Sequence, residues 1–220
     1  MAASVVKIEP RAKEDFTQVL GMIVALGAWA MMFGALFFVY AGIRSGSRVW
    51  PPPGLPPIPV ALPAVNTLVL AASSACLILG TRALARGNRK ALPGWVLGAF
   101  VLGSAFLGLQ FKVWRDLWLA GLLPSGGAFA TVFYGLTVLH AAHVLAGLVV
   151  LGVIFVRALR GGYTEHNVVR VRVAGMFWHF VDVVWILMFV ALYLIGHPEW
   201  AYGAPDSGSG FESEKDDLSS

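Results

Sequence analysis

The sequence predicts an all-α integral membrane bundle of five transmembrane helices, with the N-terminus in the cytoplasm and the C-terminus outside. Composition is the first of three observations behind this prediction: 58% of the 220 residues are hydrophobic and only 13% are charged. Soluble domains carry roughly 25% charged residues, and a domain of this size leaves about a quarter to a third of its surface wet. The mean hydropathy of +0.74 therefore excludes a soluble globule. The single cysteine, Cys76, excludes a disulfide scaffold.

The second observation is a set of apolar spans, each long enough for the roughly 20 helical residues that cross a bilayer. Two of them, 16–43 and 91–111, contain no charged side chain. Two longer uncharged stretches open with proline- or glycine-rich segments, at 50–57 and 122–127, which disfavour helix. The first apolar core is too long for a secretory signal, so we expect it to stay in the membrane. The expected helices cover about 18–43, 62–82, 91–112, 128–156 and 174–196.

The third observation is the uneven distribution of basic residues between the two sides of a five-helix chain. Eleven Lys and Arg residues fall on the side of the N-terminus, and five fall on the other side. The positive-inside rule therefore places the N-terminus in the cytoplasm. We expect a cytoplasmic segment at 1–17, the transmembrane domain at 18–196 and a disordered acidic tail at 197–220. The basic residues cluster in loops, so no nucleic-acid partner is expected.

Four ionisable side chains lie inside the predicted spans: His140 and His143 in the fourth, and His179 and Asp182 in the fifth. Each pair is spaced i, i+3 and so lies on one helix face. We expect an intramembrane polar network, in which His179 and Asp182 bond each other or meet the histidines of the fourth helix. A proton relay, a metal site and a lipid or subunit contact are the alternatives. No nucleophile with a base, phosphate loop or CxxC motif is present, so no catalytic centre or metal is expected in this chain.

Two weaker patterns concern helix packing and the membrane surface. Glycines recur in the third and fourth spans, where they allow helices to approach closely, at Gly98, Gly103, Gly108, Gly135 and Gly147. Arg157 ends the fourth span, where its side chain would either anchor the helix or contact a lipid phosphate.

The segment from Phe177 to Trp185, which reads FWHFVDVVW, resembles the last-helix signature of subunit III of the haem–copper terminal oxidases. Further motifs resemble that family in the same order. They are Trp50-Pro51-Pro52, Asn66-Thr67-Leu68-Val69-Leu70, Leu107-Gly108-Leu109-Gln110 and the run from His140 to Gly147. The resemblance covers about residues 18–196 and identifies the chain as a member of this family in a short, five-helix bacterial form.

The resemblance implies a non-catalytic subunit of a proton-pumping respiratory oxidase that reduces oxygen to water during aerobic electron transport. The chain would lie in the bacterial cytoplasmic (inner) membrane and pack on catalytic subunit I, with subunit II and further subunits in the complex. Haem and copper would belong to these partner subunits, and this chain would hold no cofactor except bound phospholipid. It would support proton uptake and the stability of the catalytic subunit.

The resemblance assigns lipid contacts to Arg157, His143 and Trp178. It also reveals a departure, because Trp29 stands where the family commonly has a buried glutamate with a proposed role in proton uptake. This replacement puts that role in doubt for this chain, and His143 would lose a partner.

A second departure is the basic stretch Arg170-Val171-Arg172, where many members have a glutamate. Quinol-oxidising members also carry basic residues there, so the electron donor stays open between cytochrome c and quinol. An accessory protein of a nitric oxide reductase remains an alternative within the family. A small proton-coupled transporter that uses His179 and Asp182 is the alternative from another class.

Overall fold

The computed structural model describes residues 10–47, 60–164 and 168–195. The proline-rich segment 50–57 and the expected tail at 197–220 lie outside the described residues, as does most of the expected N-terminal segment. Regular structure in the described ranges is exclusively helical, and five helices are long and apolar enough to cross a membrane. The prediction of an all-α, five-helix membrane bundle is thereby confirmed.

The five helices alternate with short connections. They are α1 (Pro10–Gly46), α2 (Ala61–Ala85), α3 (Leu92–Leu119), α4 (Ala128–Leu159) and α5 (Val168–Phe189). A 3-10 turn, Arg89–Ala91, precedes α3, and a π-helical turn, Val190–Leu194, continues α5.

Three helix ends extend six or more residues beyond the expected ones, because charged side chains at a helix end can reach water while the backbone stays helical. Helix α1 begins at Pro10, a residue whose fixed φ suits the first helical position. Helix α3 continues to Leu119, beyond the end that the sequence predicts at Lys112. Lys112 and Asp116 pair across one turn at 2.7 Å on its exposed face. Helix α5 starts at Val168, so Arg170 and Arg172 lie in its first turns.

Helix α5 forms the centre of the bundle and packs against α1, α2 and α4, while α3 lies between α2 and α4. Half of the residues in the most apolar stretch of α5 are buried, whereas only 6% of the residues in the corresponding stretch of α1 are buried. Most of the apolar surface of α1 is therefore left for lipid or for another protein.

The far end of α5 is fastened to α1 by two side chains. The Tyr40 hydroxyl donates to the carbonyl of Ala191 at 2.8 Å, and the Arg44 guanidinium donates to the carbonyl of Ile195 at 2.9 Å. Carbonyls at a helix end have no partner within the helix, so these bonds satisfy groups that would otherwise face the membrane.

Two of the glycines in the third and fourth spans form a tight seat for Trp178 of α5. A Cβ on Gly103 would lie 2.7 Å from the indole Cη2, and a Cβ on Gly147 would lie 2.7 Å from Cε3. Gly108 and Gly135 have no heavy atom within 4 Å of such a Cβ. Close packing therefore requires glycine at Gly103 and Gly147, which contact Trp178, but not at Gly108 or Gly135.

Candidate functional site: two polar clusters and a groove

The first cluster joins α2 to α5 through Ser74. The Ser74 hydroxyl donates to the Asp182 carboxylate, and its oxygen lies 2.8 Å from Nδ1 of His179. A hydroxyl has one proton, so Ser74 accepts a hydrogen bond from the Nδ1–H of His179. This arrangement fixes the neutral tautomer of the imidazole and leaves its Nε2 as an acceptor.

Asp182 is the most buried member of this cluster. It is 9% exposed, and among the described residues its Oδ1 has no hydrogen-bond partner. A carboxylate in a membrane helix is costly unless it is paired. Ser74 relieves one of the two carboxylate oxygens, and the other is buried without a partner among the described residues.

The second cluster contains the two histidines of α4, which the structure does not bring to His179 and Asp182. His140 is 1% exposed and lies among aromatic rings, with ring centroids 6.0 Å from Phe106 and 5.4 Å from Trp185. Neither ring nitrogen of His140 has a hydrogen-bond partner in the described part of the chain. Of the two expected arrangements, the structure therefore has the one in which His179 and Asp182 share a cluster with each other, joined through Ser74, and α5 presents this pair to α2 rather than to α4.

His143 has a different environment from His140. Its Nδ1 lies 2.8 Å from the carbonyl of Leu139 one turn earlier in the same helix. Trp29 of α1 approaches the imidazole edge-on with 5.7 Å between ring centroids, and the indole also packs on Phe177 at 5.1 Å. At the position where the family commonly has a carboxylate, this chain therefore contributes an aromatic contact to His143.

A groove of about 460 Å³ opens between α1, α4 and α5, and we call it the α1/α4/α5 groove. Its walls are largely apolar, and Trp29, His143 and Phe177 line its inner part. Arg170 is the cationic residue among the described residues that line it. Ligand pockets typically combine an apolar wall with a few placed polar groups, in volumes of about 300–1,000 Å³, and this groove has both features.

The structure separates the three residues for which lipid contacts were expected. His143 lines the α1/α4/α5 groove, whereas Arg157 is exposed in the last turn of α4 and does not line it. Trp178 is 1% exposed and lies between Gly103 and Gly147. Its indole packs between α3 and α4, and the expected lipid contact of Trp178 stays a prediction. Arg170, which the sequence interpretation did not assign to a lipid, takes a place in the groove.

The model of the family cytochrome c oxidase subunit III matches residues 15–197, which include all five helices. The chain belongs to this family. The resemblance noted in the motifs of the sequence is thereby confirmed, and the subunit III chain is a multi-pass membrane protein.

Individual relatives span the two classes of oxidase. Cytochrome c oxidase subunit 3 of Thermostichus vulcanus is 36% identical over 182 residues, which cover 82% of this chain and 88% of the relative. The protein of the same name from Alkalihalophilus pseudofirmus is 34% identical, with 83% and 89% covered. Cytochrome bo(3) ubiquinol oxidase subunit 3 of Pseudomonas putida is 30% identical, with 80% and 87% covered. The chain is therefore similar to subunit III of both cytochrome c and quinol haem–copper oxidases.

The described residues contain no group of three or more His, Cys, Asp or Glu side chains placed to hold a metal ion. His179 and Asp182 share their contacts with Ser74, a residue that is not a metal ligand in this arrangement.

Proposed function

We propose that the chain is the non-catalytic subunit III of a proton-pumping respiratory oxidase of the cytochrome c oxidase type. It packs on the catalytic subunit I, with the haem and copper held by the partner subunits. The observation that carries this proposal is the match to subunit III over the whole bundle, residues 15–197. The proposed setting is the bacterial cytoplasmic membrane, with the N-terminus in the cytoplasm.

The polar side chains of the spans support a non-catalytic role, because each has a structural partner or an apolar enclosure. Ser74 binds both His179 and Asp182, while His143 bonds the carbonyl of Leu139. Two cytochrome c oxidase relatives are 36% and 34% identical, against 30% for the ubiquinol oxidase relative of Pseudomonas putida. These identities favour cytochrome c as the electron donor, and a ubiquinol oxidase subunit is the second candidate.

The supporting role can be tested by deleting the chain and purifying the remaining oxidase. We expect the haem spectrum and the initial rate of oxygen reduction to persist, because no reacting group is lost. We expect proton uptake to slow and activity to decay earlier during turnover, because the catalytic subunit loses a supporting neighbour. An immediate loss of oxygen reduction in a complex with intact haem bands would contradict a non-catalytic role.

The α1/α4/α5 groove is the proposed phospholipid site. Arg170 lies in the first turns of α5, where a helix end meets the headgroup region, and its cation would attract a lipid phosphate. From Arg170 to Phe177 the groove extends about 10 Å at 1.5 Å per residue. Its apolar inner part, lined by Trp29, His143 and Phe177, suits an acyl chain.

Replacing Arg170 with glutamine tests this lipid site. Arg170→Gln removes the cation while keeping length and polarity, so a phospholipid that survives detergent washing should be lost. Arg160→Gln at the end of α4 is the matched control, since Arg160 does not line the groove. Phospholipid per complex is measured by mass spectrometry after purification. Equal lipid content in both variants and in the parent would contradict the assignment.

A further inference from the structure

A second groove runs along the outer face of α2 and α5, and we call it the α2/α5 groove. It consists of two cavities of about 330 and 270 Å³, which share Ile78 and His179. On α2 its walls begin at Thr67 and end at Ala85. That separation is about 27 Å at 1.5 Å per residue, close to the roughly 30 Å of a bilayer core. The groove is therefore about as long as a transmembrane helix.

The polar cluster of Ser74, His179 and Asp182 opens into this groove near the middle of α2. One acceptor faces the groove, namely the Nε2 of the partly exposed His179, whereas the unpartnered Oδ1 of Asp182 is itself buried. Ionisable groups at this depth are expensive in contact with hydrocarbon and normally face protein. An acyl chain offers no donor to the Nε2 of His179, whereas a polar side chain of a neighbouring helix does.

The groove also has the surface that close helix packing requires. Ala71 and Ala75 are exposed, lie one turn apart on either side of Ser74 and line the cavity. Small residues at this spacing let two membrane helices approach until their backbones are close. An interhelical hydrogen bond to His179 needs such an approach.

One end of the groove carries positive charge. Arg82 and Arg172 both line the cavity there, and the described part of the chain offers neither guanidinium an acidic partner. An occupant with acidic side chains at this end would complement them.

We propose that the α2/α5 groove receives a transmembrane helix of a neighbouring subunit of the oxidase. That helix donates a hydrogen bond to His179 at mid-membrane and places acidic side chains beside Arg82 and Arg172. The proposal rests on the proposed function, and it adds which face of the chain is covered by protein and which chemistry holds the two subunits together.

Photo-crosslinking in native membranes tests the occupant directly. The photoreactive residue p-benzoylphenylalanine is placed at Ala75, inside the groove, or at Ala72, which is exposed on the same helix but does not line the groove. We expect Ala75 to give an adduct with a transmembrane segment of a haem-carrying subunit, identified by mass spectrometry, and Ala72 to give none. An adduct of Ala75 with lipid alone or with a second copy of this chain would overturn the proposal.

A steric variant supplies an independent readout. Ala75→Trp fills the groove and Ala72→Trp does not, while both indoles replace exposed side chains and leave the core of the chain intact. We expect Ala75→Trp to lower the ratio of this chain to haem in the purified complex by about tenfold, as overpacked contacts do. An unchanged ratio would overturn the proposal.

Failure of this inference can be distinguished from failure of the proposed function. If the unmodified chain purifies without any haem protein, the oxidase assignment fails and the inference fails with it. If the chain purifies with haem but Ala75 reacts only with lipid, the oxidase assignment stands and the α2/α5 groove is a lipid surface.

Discussion

We predict that the substitution Gly103→Ala destabilises the chain, because the new methyl group would clash with the indole of Trp178. The new Cβ would lie 2.7 Å from Cη2 and 2.8 Å from Cζ2 of the indole, and 3.0 Å from Cδ2 of Leu148. The indole has little room to retreat, because Gly147 lies against its opposite edge, where an added Cβ would come within 2.7 Å of Cε3. Overpacking of this kind costs about 1–3 kcal/mol, and alanine recovers about 0.5–1 kcal/mol of helix propensity.

With the indole held on both sides, we expect the overpacking cost near its upper limit and a net destabilisation of about 2 kcal/mol. In a chain of this size, each 1 kcal/mol shifts the melting temperature by roughly 2–4 °C, so Gly103→Ala should melt about 4–8 °C lower. The assay heats detergent extracts of the complex carrying a fluorescent tag on this chain and records the unaggregated fraction by size exclusion.

Gly108→Ala on the same helix is the matched control, because nothing lies within 4 Å of the position that its new methyl group would take. It should be neutral or slightly stabilising through helix propensity. Trp178→Phe removes the ring atoms that the Gly103 methyl would meet, so the double variant should be more stable than the sum of the two single effects. Equal melting temperatures of Gly103→Ala and Gly108→Ala, or strict additivity in the double variant, would refute the claim that Trp178 packs tightly against Gly103.

Two further predictions concern hydrogen bonds between α2 and α5. Thr67→Val removes the acceptor of the hydrogen bond from the Trp185 indole N–H, which is 2.9 Å long. We expect the chain to lose about 0.6 kcal/mol of stability, the average for such bonds in membranes. The same melting assay measures this loss against Thr81→Val, whose hydroxyl bonds the carbonyl of Leu77 in its own helix. Asp182→Asn weakens the Ser74 bond, so we expect less of this chain to stay with the oxidase while the number of protons pumped per electron is unchanged. Full retention with lost pumping would instead make Asp182 part of a proton path.

The number and type of elements could be predicted from the sequence, because long uncharged stretches have no other stable form in lipid. The helix ends could not be predicted as well. Lys112 marks the end of an uncharged run, but its pairing with Asp116 lets α3 continue to Leu119. The end of an uncharged stretch indicates where the hydrocarbon of the bilayer ends. The helix itself can continue further, as long as its charged side chains can reach water.

The polar site was predictable in part for a similar reason. The spacing of His179 and Asp182 correctly indicates one shared face, but it does not say which neighbour that face meets. Ser74 gave no signal of its own, because hydroxyl residues in helices often bond the preceding turn. Ser104 does so with the carbonyl of Phe100, while Ser74 bonds across to α5.

Arg170 shows the same limit for the lipid site. The resemblance indicates Arg157, which lies at the end of α4, and this lipid contact stays a prediction, whereas the arginine that lines the α1/α4/α5 groove is Arg170. Only the packing of the helices distinguishes the two arginines, since both lie at helix ends in the sequence.

The central claim is that this chain is a subunit of a haem–copper oxidase, and purification with its partners tests it most directly. The chain is tagged, the membrane is extracted gently, and the reduced-minus-oxidised visible spectrum of the purified material is recorded together with oxygen uptake. We predict haem bands and oxygen consumption that is driven by reduced cytochrome c. Oxygen uptake driven only by quinol would indicate the ubiquinol oxidase instead. A colourless preparation without partner subunits, or one that reduces nitric oxide rather than oxygen, would contradict the claim.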